Sequence, residues 1–319
     1  MTLHYWRRGG GRLLLLLSTF IVALVLSCRS CSCLGFGRIF GLSSSGKAQD
    51  YTVHLSTYDL TLQDVEKATQ VSLEDLSESN RLRKSGARTA FVNWQSWIGS
   101  SHPSDKCRKG AKGILESLDA LWPSATNEGD KKFYVMLAKK LRKVKQCGEG
   151  VALDYNFSQC KRYTCALWQT FHSLSFSEVG EGREQESFSG EDMMNALKGF
   201  IDKFFTCSEC REHFLEVLAQ DNVKGVKTRK DFAMWLWEAH NVVNRRLAKE
   251  EAETGQGDPS RPKHVFPHSM LCPECYLSAD SKKFDREKTY TFLKTYYNFK
   301  LPSKQFRDEP VTMTVHQDL

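Results

Sequence analysis

The sequence predicts an all-α protein in two helical parts, a spacer over residues 51–150 and a bundle over residues 151–300, followed by a tail over 301–319. Apolar residues recur at three- and four-residue spacing through both parts, the signature of amphipathic helices, and no run between residues 50 and 150 alternates as a strand would. The 319 residues, 40% hydrophobic and 26% charged, have an ordinary globular composition with core enough for two domains once a leader is set aside.

That leader is residues 1–28. Arg7, Arg8 and Arg12 form a basic n-region and residues 13–26 are an apolar run broken only by Ser18 and Thr19. The run is short for a membrane span and right for a secretory h-region, so cleavage near Ser27 or Cys28 is expected, with an uncleaved signal anchor as the alternative. Either way the body enters an oxidising compartment, which accounts for eleven cysteines. The expected location is the secretory pathway, in the endoplasmic reticulum or Golgi lumen, or outside the cell, with membrane attachment through the N-terminus if the leader stays. Residues 29–50 read as a flexible Gly/Ser-rich linker. Cys28, Cys31 and Cys33 at its start are read as leader remnant, with a mobile dithiol shuttle or acylation sites as alternatives. The net charge of +7 includes the leader arginines. Lys139, Lys140, Arg142, Lys143 and Lys145 alternate with Leu137, Leu141 and Val144, a solvated helix face, so no nucleic-acid partner is expected.

In the spacer, Leu60, Leu62, Val65, Ala68, Val71 and Leu73 mark a helix within residues 58–76. Residues 89–97, 105–121 and 131–146 also read as helices, separated by Ser100-Ser101-His102-Pro103 and Trp122-Pro123-Ser124. Cys107 and Cys147 are candidates to pair and tie two helices together. The segment holds no cluster of nucleophile, base or metal ligands, and a structural or docking role is expected.

The bundle carries the chemistry. Cys207-Ser208-Glu209-Cys210 sits between a helix marked by Met194, Leu197, Ile201 and Phe204 and one marked by Phe214, Leu215 and Leu218. Sulfur at a helix N-terminus feels the positive end of the macrodipole, which favours thiolate. His213 follows Cys210 on the same helical face. Upstream, Trp168 and His172 are four apart. Downstream, Thr228 and Asp231 open a helix with an apolar stripe of Phe232, Trp235, Leu236, Val243 and Leu247, and Trp237, His240, Asn241 and Asn244 form a second stripe on it. Three readings of the Cys207/Cys210 pair stay open at this level: a redox dithiol, half of a zinc site completed by Cys272 and Cys275, or a structural disulfide. Three helices presenting aromatic and hydrogen-bonding residues suit a flat, heteroatom-rich ligand such as a flavin, which takes two electrons from a dithiol.

The order Cys165-x-x-Trp168-x-x-x-His172, Cys207-x-x-Cys210-x-x-His213-Phe214, Trp237-x-x-His240-Asn241-x-x-Asn244 and Cys272-x-x-Cys275 resembles the flavin-binding domain of the Erv/ALR sulfhydryl oxidases, nearest to the quiescin branch. The region from Tyr51 is similar, more faintly, to that branch's helical spacer, and residues 284–294 to its closing helix. The resemblance implies an FAD-binding four-helix bundle with an extra short helix. It implies an enzyme that converts thiols to disulfides with oxygen as acceptor and hydrogen peroxide as product, in support of protein folding.

By the same resemblance, substrate thiolate attacks Cys207, a second thiol resolves the mixed disulfide, and Cys210 faces the flavin. Trp168, His172, Glu209, His213, Trp237, His240, Asn241 and Asn244 would line the cofactor pocket. Lys161 or Arg162 and Lys263 would meet the FAD phosphates, with Phe266 where the family often has tryptophan. Cys160 with Cys165 and Cys272 with Cys275 would be structural disulfides, and no metal is expected. Three departures from the family pattern stand out. The quiescin branch carries an N-terminal thioredoxin-like domain that is not found here between leader and spacer, the segment from Cys160 to Cys165 is short, and no second apolar span follows the bundle. The expected substrates are therefore small dithiols and thiol proteins, with a separate thioredoxin-like protein as a candidate partner. The rivals are a redox-silent flavin-binding or regulatory remnant and a zinc-held scaffold. Asn156-Phe157-Ser158 is a glycosylation sequon.

Overall fold

The computed structural model describes residues 48–151, 153, 155–177, 188–278, 282–299 and 310–316. The leader, Cys28, Cys31, Cys33, residues 178–187 and much of the tail lie outside the described residues.

The spacer begins with a strand. β1 (Ala48–His54) pairs antiparallel with β2 (Pro310–His316), Ala48 opposite His316 and His54 opposite Pro310, which corrects the expectation of a strand-free spacer and puts residues 48–50, read as flexible linker, in a strand. Val53, Met313 and Val315 are buried on one face of this ribbon. One buried position in β1 is too little alternation to register in a sequence window, and its partner lies more than two hundred residues away. The other elements are helical: α1 (Leu62–Leu76), α2 (Ser79–Leu82), α3 (Ala87–Ser101), α4 (Asp105–Glu116), α5 (Leu118–Leu121), α6 (Lys131–Leu141), α7 (Tyr163–Phe176), α8 (Gly190–Lys203), α9 (Ser208–Leu218), α10 (Arg229–Thr254) and α11 (Arg286–Tyr296). Three short 3-10 turns connect them, at Leu55–Tyr58, Asp221–Gly225 and Pro273–Cys275.

Local chemistry sets the boundaries. Thr61 caps α1 by accepting from the Asp64 amide. Ser189 with Asp192 and Thr228 with Asp231 form reciprocal capping boxes at the starts of α8 and α10, satisfying amides the helices leave unpaired. The two starts abut: Gly190 donates to the Lys227 carbonyl at 3.0 Å, and a Cβ on Gly190 would sit 2.2 Å from the Thr228 carbonyl oxygen. Arg229 turns back across the end of α7, donating to the Leu174 carbonyl at 3.0 Å, where a cation opposes the helix dipole.

Helices α7, α8, α9 and α10 form the bundle, and spacer helices pack directly on it, α1 against α7 and α3 against α8. Gly199 permits the second contact, since a Cβ there would lie 2.9 Å from the Ala90 Cβ. Trp94 and Trp97 of α3 reach into the bundle. Trp94 stacks on Phe200 at 4.4 Å, and Trp97 meets Phe232 edge-on at 5.4 Å, all four rings excluded from solvent. One core cluster therefore runs from Leu73 in the spacer to Ala239 in α10, so packing does not pause at residue 150. The Cys107–Cys147 disulfide joins α4 to the segment after α6.

Candidate active site

Cys207 is the N-cap of α9 and Cys210 stands in its first turn, and the two sulfurs are bonded to each other. The Cys207 Sγ also accepts the Cys210 amide at 3.2 Å, so the pair lies where the helix concentrates its unsatisfied N–H groups. Both cysteines are half-buried against the core, and Glu209 between them is exposed. Cys272 and Cys275 likewise bond each other. The four sulfurs of the zinc alternative are thus taken up in two disulfides, and among the described residues no three His, Cys, Asp or Glu side chains gather as metal ligands.

Phe214, one turn after Cys210, packs edge-on against Trp168 at 5.6 Å and links the disulfide helix to α7. Trp168 stacks in parallel on His240 of α10 at 4.0 Å and 1°. The Nδ1 of His240 lies 3.1 Å from Nε2 of His172, and His172 stacks on Tyr297 at 4.8 Å. Burial, reinforced by His240, holds His172 well below the usual imidazole range. Burial, then Lys263 and His264, takes His240 down to about 3. Both rings are neutral at physiological pH, one donating to the other.

Several polar atoms here are buried without a protein partner: His172 Nδ1, Gln169 Oε1 on the same helix, and His213 Nδ1 on α9. Atoms in that condition are costly unless something pairs with them. A flat heteroaromatic ligand with donors and acceptors along its edge meets that requirement, so the residues present fit a flavin.

Asn241 and Trp237 are committed elsewhere. Asn241 brackets one residue, donating to the Phe266 carbonyl at 2.8 Å and accepting from its amide at 2.7 Å, and Trp237 Nε1 donates to the same carbonyl at 2.5 Å. Their polar groups fix the loop of Lys263, His264 and Phe266, which continues through a cis Phe266–Pro267 bond. Lys263 is half-buried, and its charge is one of the causes that lower His240. Asn244 is half-buried one turn beyond Asn241. Phe266 packs its ring on Tyr296 at 5.2 Å. Arg162 is exposed at the N-cap of α7, and Lys161 beside it is salt-bridged to Asp258 at 2.7 Å. Cys160 and Cys165 are bonded across that N-cap.

Four contributors, Tyr58, His264, Tyr296 and Asp64, carry no sequence signal. Tyr58 approaches His264 Nε2 at 2.7 Å, and the Tyr296 hydroxyl donates to the Tyr58 carbonyl, so the spacer's first turn covers the Phe266 loop. His264 Nδ1 donates to the Val265 carbonyl at 2.7 Å, which makes Nε2 the acceptor for Tyr58. Asp64, buried in the first turn of α1, accepts from the amides of Ser158, Gln159 and Cys160 and from the Ser158 hydroxyl, holding the segment that leads into Cys160–Cys165.

Residues 165–260 match the Erv1 / Alr family. Sulfhydryl oxidase 1 of Arabidopsis thaliana is 34% identical over 248 residues, 75% of this chain and 45% of that protein. Sulfhydryl oxidase 2 of the same plant is 33% identical over 279 residues, 84% of this chain and 54% of that protein. The chain spans about half the length of these relatives. Among solved structures, the sulfhydryl oxidase fragment of human QSOX1 superposes with a TM-score of 0.61, covering 75% of this chain and 95% of the fragment at 23% identity, a likeness of fold.

Proposed function

We propose, from the premise that residues 165–260 match the Erv1 / Alr family and that the chain is a relative of the sulfhydryl oxidases, that it is an FAD-dependent thiol oxidase making disulfides with oxygen as acceptor and hydrogen peroxide as product. The observation that carries this reading is the Cys207–Cys210 disulfide at the start of α9, joined through Phe214 to Trp168 and the neutral His172–His240 pair.

In the proposed reaction a substrate thiolate attacks Cys207, forming a mixed disulfide and breaking the Cys207–Cys210 bond, and Cys210 departs as a thiolate within the first turn of α9. A second substrate thiolate then attacks the substrate sulfur of the mixed disulfide and expels Cys207, whose departing charge the Cys210 amide is placed to receive. The substrate leaves oxidised and the pair is left as a dithiol, two electrons richer. Bound FAD supplies the acceptor for those electrons and the route to oxygen.

Trp168, His172, His213, His240 and Asn244 are the proposed contacts to its rings. Asn241 and Trp237 set the loop that brings Lys263, and Lys263 with Arg162 is the proposed partner of the phosphates. Lys161 joins them only by leaving Asp258. The leader and the disulfides at Cys107–Cys147, Cys160–Cys165 and Cys272–Cys275 favour passage through the secretory pathway. The proposed substrates are small dithiols and thiol proteins, with a separate thioredoxin-like protein as electron donor.

The test is the purified protein's absorption spectrum together with oxygen uptake on dithiothreitol. A flavin spectrum with uptake that disappears in both Cys207→Ser and Cys210→Ser is expected. A flavin spectrum without uptake would instead leave a redox-silent binding module.

A further inference from the structure

Four cations gather around the chain that leads into the disulfide. Lys84, between α2 and α3, donates to the carbonyl of Lys203 at 3.1 Å, and Lys203 is the last residue of α8. Arg211, next to Cys210, bends back to donate to the carbonyl of Phe205 at 3.3 Å, two residues before Cys207. Arg81 donates to the Asp75 carbonyl at 3.3 Å one turn before Lys84. Two carboxylates lie within this group, Asp202, which is already paired with Lys203 at 2.7 Å, and Asp75, which feels the charge of Arg81. Among the described residues no carboxylate pairs with Lys84 or Arg211, and each spends one of its several donors on a backbone carbonyl. Burial, then Arg211 and Arg81, with Lys203 adding to them and Asp202 opposing, pulls the Lys84 ammonium below its ordinary range. Glu209 and Glu212 of α9 are exposed.

Two of these cations come from the spacer and two from the bundle; Lys84 and Arg211 hold the carbonyls of Lys203 and Phe205, in the stretch that delivers Cys207, and Arg81 adds its charge beside Lys84. Lys84 and Arg211, two cations beside each other with no carboxylate of their own among the described residues, cost stability unless something outside the chain answers them. Positive potential beside a redox pair also raises the local concentration of anionic reactants and discriminates against cationic ones.

We propose that Arg81, Lys84, Lys203 and Arg211 form a docking rim that selects thiol proteins carrying acidic side chains next to their reactive cysteines. The inference rests on the oxidase reading for its biological meaning, but the binding it predicts needs no turnover.

The experiment uses two fluorescent peptides in which the cysteines are replaced by serine, one flanked by Asp and Glu and the other by Lys, titrated with the full-length protein and read by anisotropy. The acidic peptide is expected to bind at least about tenfold more tightly at low salt. That preference should shrink as salt screens the rim, and it should collapse in Lys84→Glu. Arg81→Glu serves as a second variant should Lys84→Glu not fold. Equal binding of the two peptides by the parent, or a preference untouched by both variants and by salt, overturns the rim. Oxygen uptake on dithiothreitol, measured on the same preparations, reports separately. Peptide preference without uptake would sink the oxidase reading and keep the rim, and uptake without preference would do the reverse.

Discussion

Replacing Asp64 with asparagine separates a spacer that holds the cofactor helix from one that merely precedes it. One Asp64 carboxylate oxygen accepts the Ser158 amide at 2.6 Å and the Ser158 hydroxyl at 2.9 Å, and the other accepts the amides of Gln159 at 2.7 Å and Cys160 at 3.1 Å. Asparagine keeps one acceptor and turns an NH2 group toward two donors. The Gln159 amide, on a half-buried residue, recovers water, whereas the Cys160 amide belongs to a residue only 1% exposed. One charge-assisted bond lost and one buried donor left unmet amount to about 3 kcal/mol. In a protein of this size that lowers the thermal midpoint by about 4–6 °C. Thermal unfolding of parent and Asp64→Asn by circular dichroism measures it. The flavin-to-protein ratio of the purified variant should fall as well, because the Ser158–Cys160 segment sets the start of α7, which carries Trp168 and His172. A midpoint within about 1 °C of the parent, with flavin retained, would refute the reasoning.

Three further outcomes are expected. Removing the Cys107–Cys147 bridge, which closes a separation of 40 residues, in the double serine variant should cost about 4 kcal/mol in urea unfolding, and no cost would mean that the bond does not form. Burial depresses His102 and His240 to about 3 and His264 to about 4, so the folded state keeps them neutral. Their stabilising contribution is complete above the unfolded pKa near 6.5 and is lost as pH falls toward those values. His172, which burial also holds well below the usual range, adds to this loss, whereas Asp75, raised by burial to about 6, works in the opposite sense, so the flavin-free protein should lose about 6 kcal/mol between pH 7 and pH 5, and a flat urea midpoint over that range would contradict the assignment. Gly199→Val should destabilise by about 2 kcal/mol by forcing α8 from Ala90, whereas Gly113→Ala, with nothing within 4 Å of the added carbon, should stabilise by about 0.5–1 kcal/mol; denaturant melts that rank them the other way would discount the close α3–α8 contact.

Features set by local spacing were legible in the sequence. The helices follow from apolar periodicity, the start of α10 from Thr228 and Asp231, and the Trp168/His172 alignment from the four-residue step of a helix. Cys107 and Cys147 stood out as the cysteines of the spacer. What escaped depends on partners chosen in three dimensions. The β1–β2 ribbon joins the two ends of the described chain, Tyr58 and Asp64 act on loops far along the sequence, and the amide of Asn241 is taken up by the backbone of Phe266 rather than left for a ligand. Trp94 and Trp97 bury themselves against the bundle, and contacts of that kind leave no trace in a local window.

The central claim is that the Cys207–Cys210 disulfide exchanges electrons with a flavin held beside it. Anaerobic titration of the purified protein with dithiothreitol, followed through the flavin's visible absorption, tests that most directly. The account predicts bleaching in the parent, recovery of the colour on admitting air, and a Cys210→Ser variant that keeps its flavin but does not bleach on the same timescale. Bleaching at the parent rate in Cys210→Ser would contradict it.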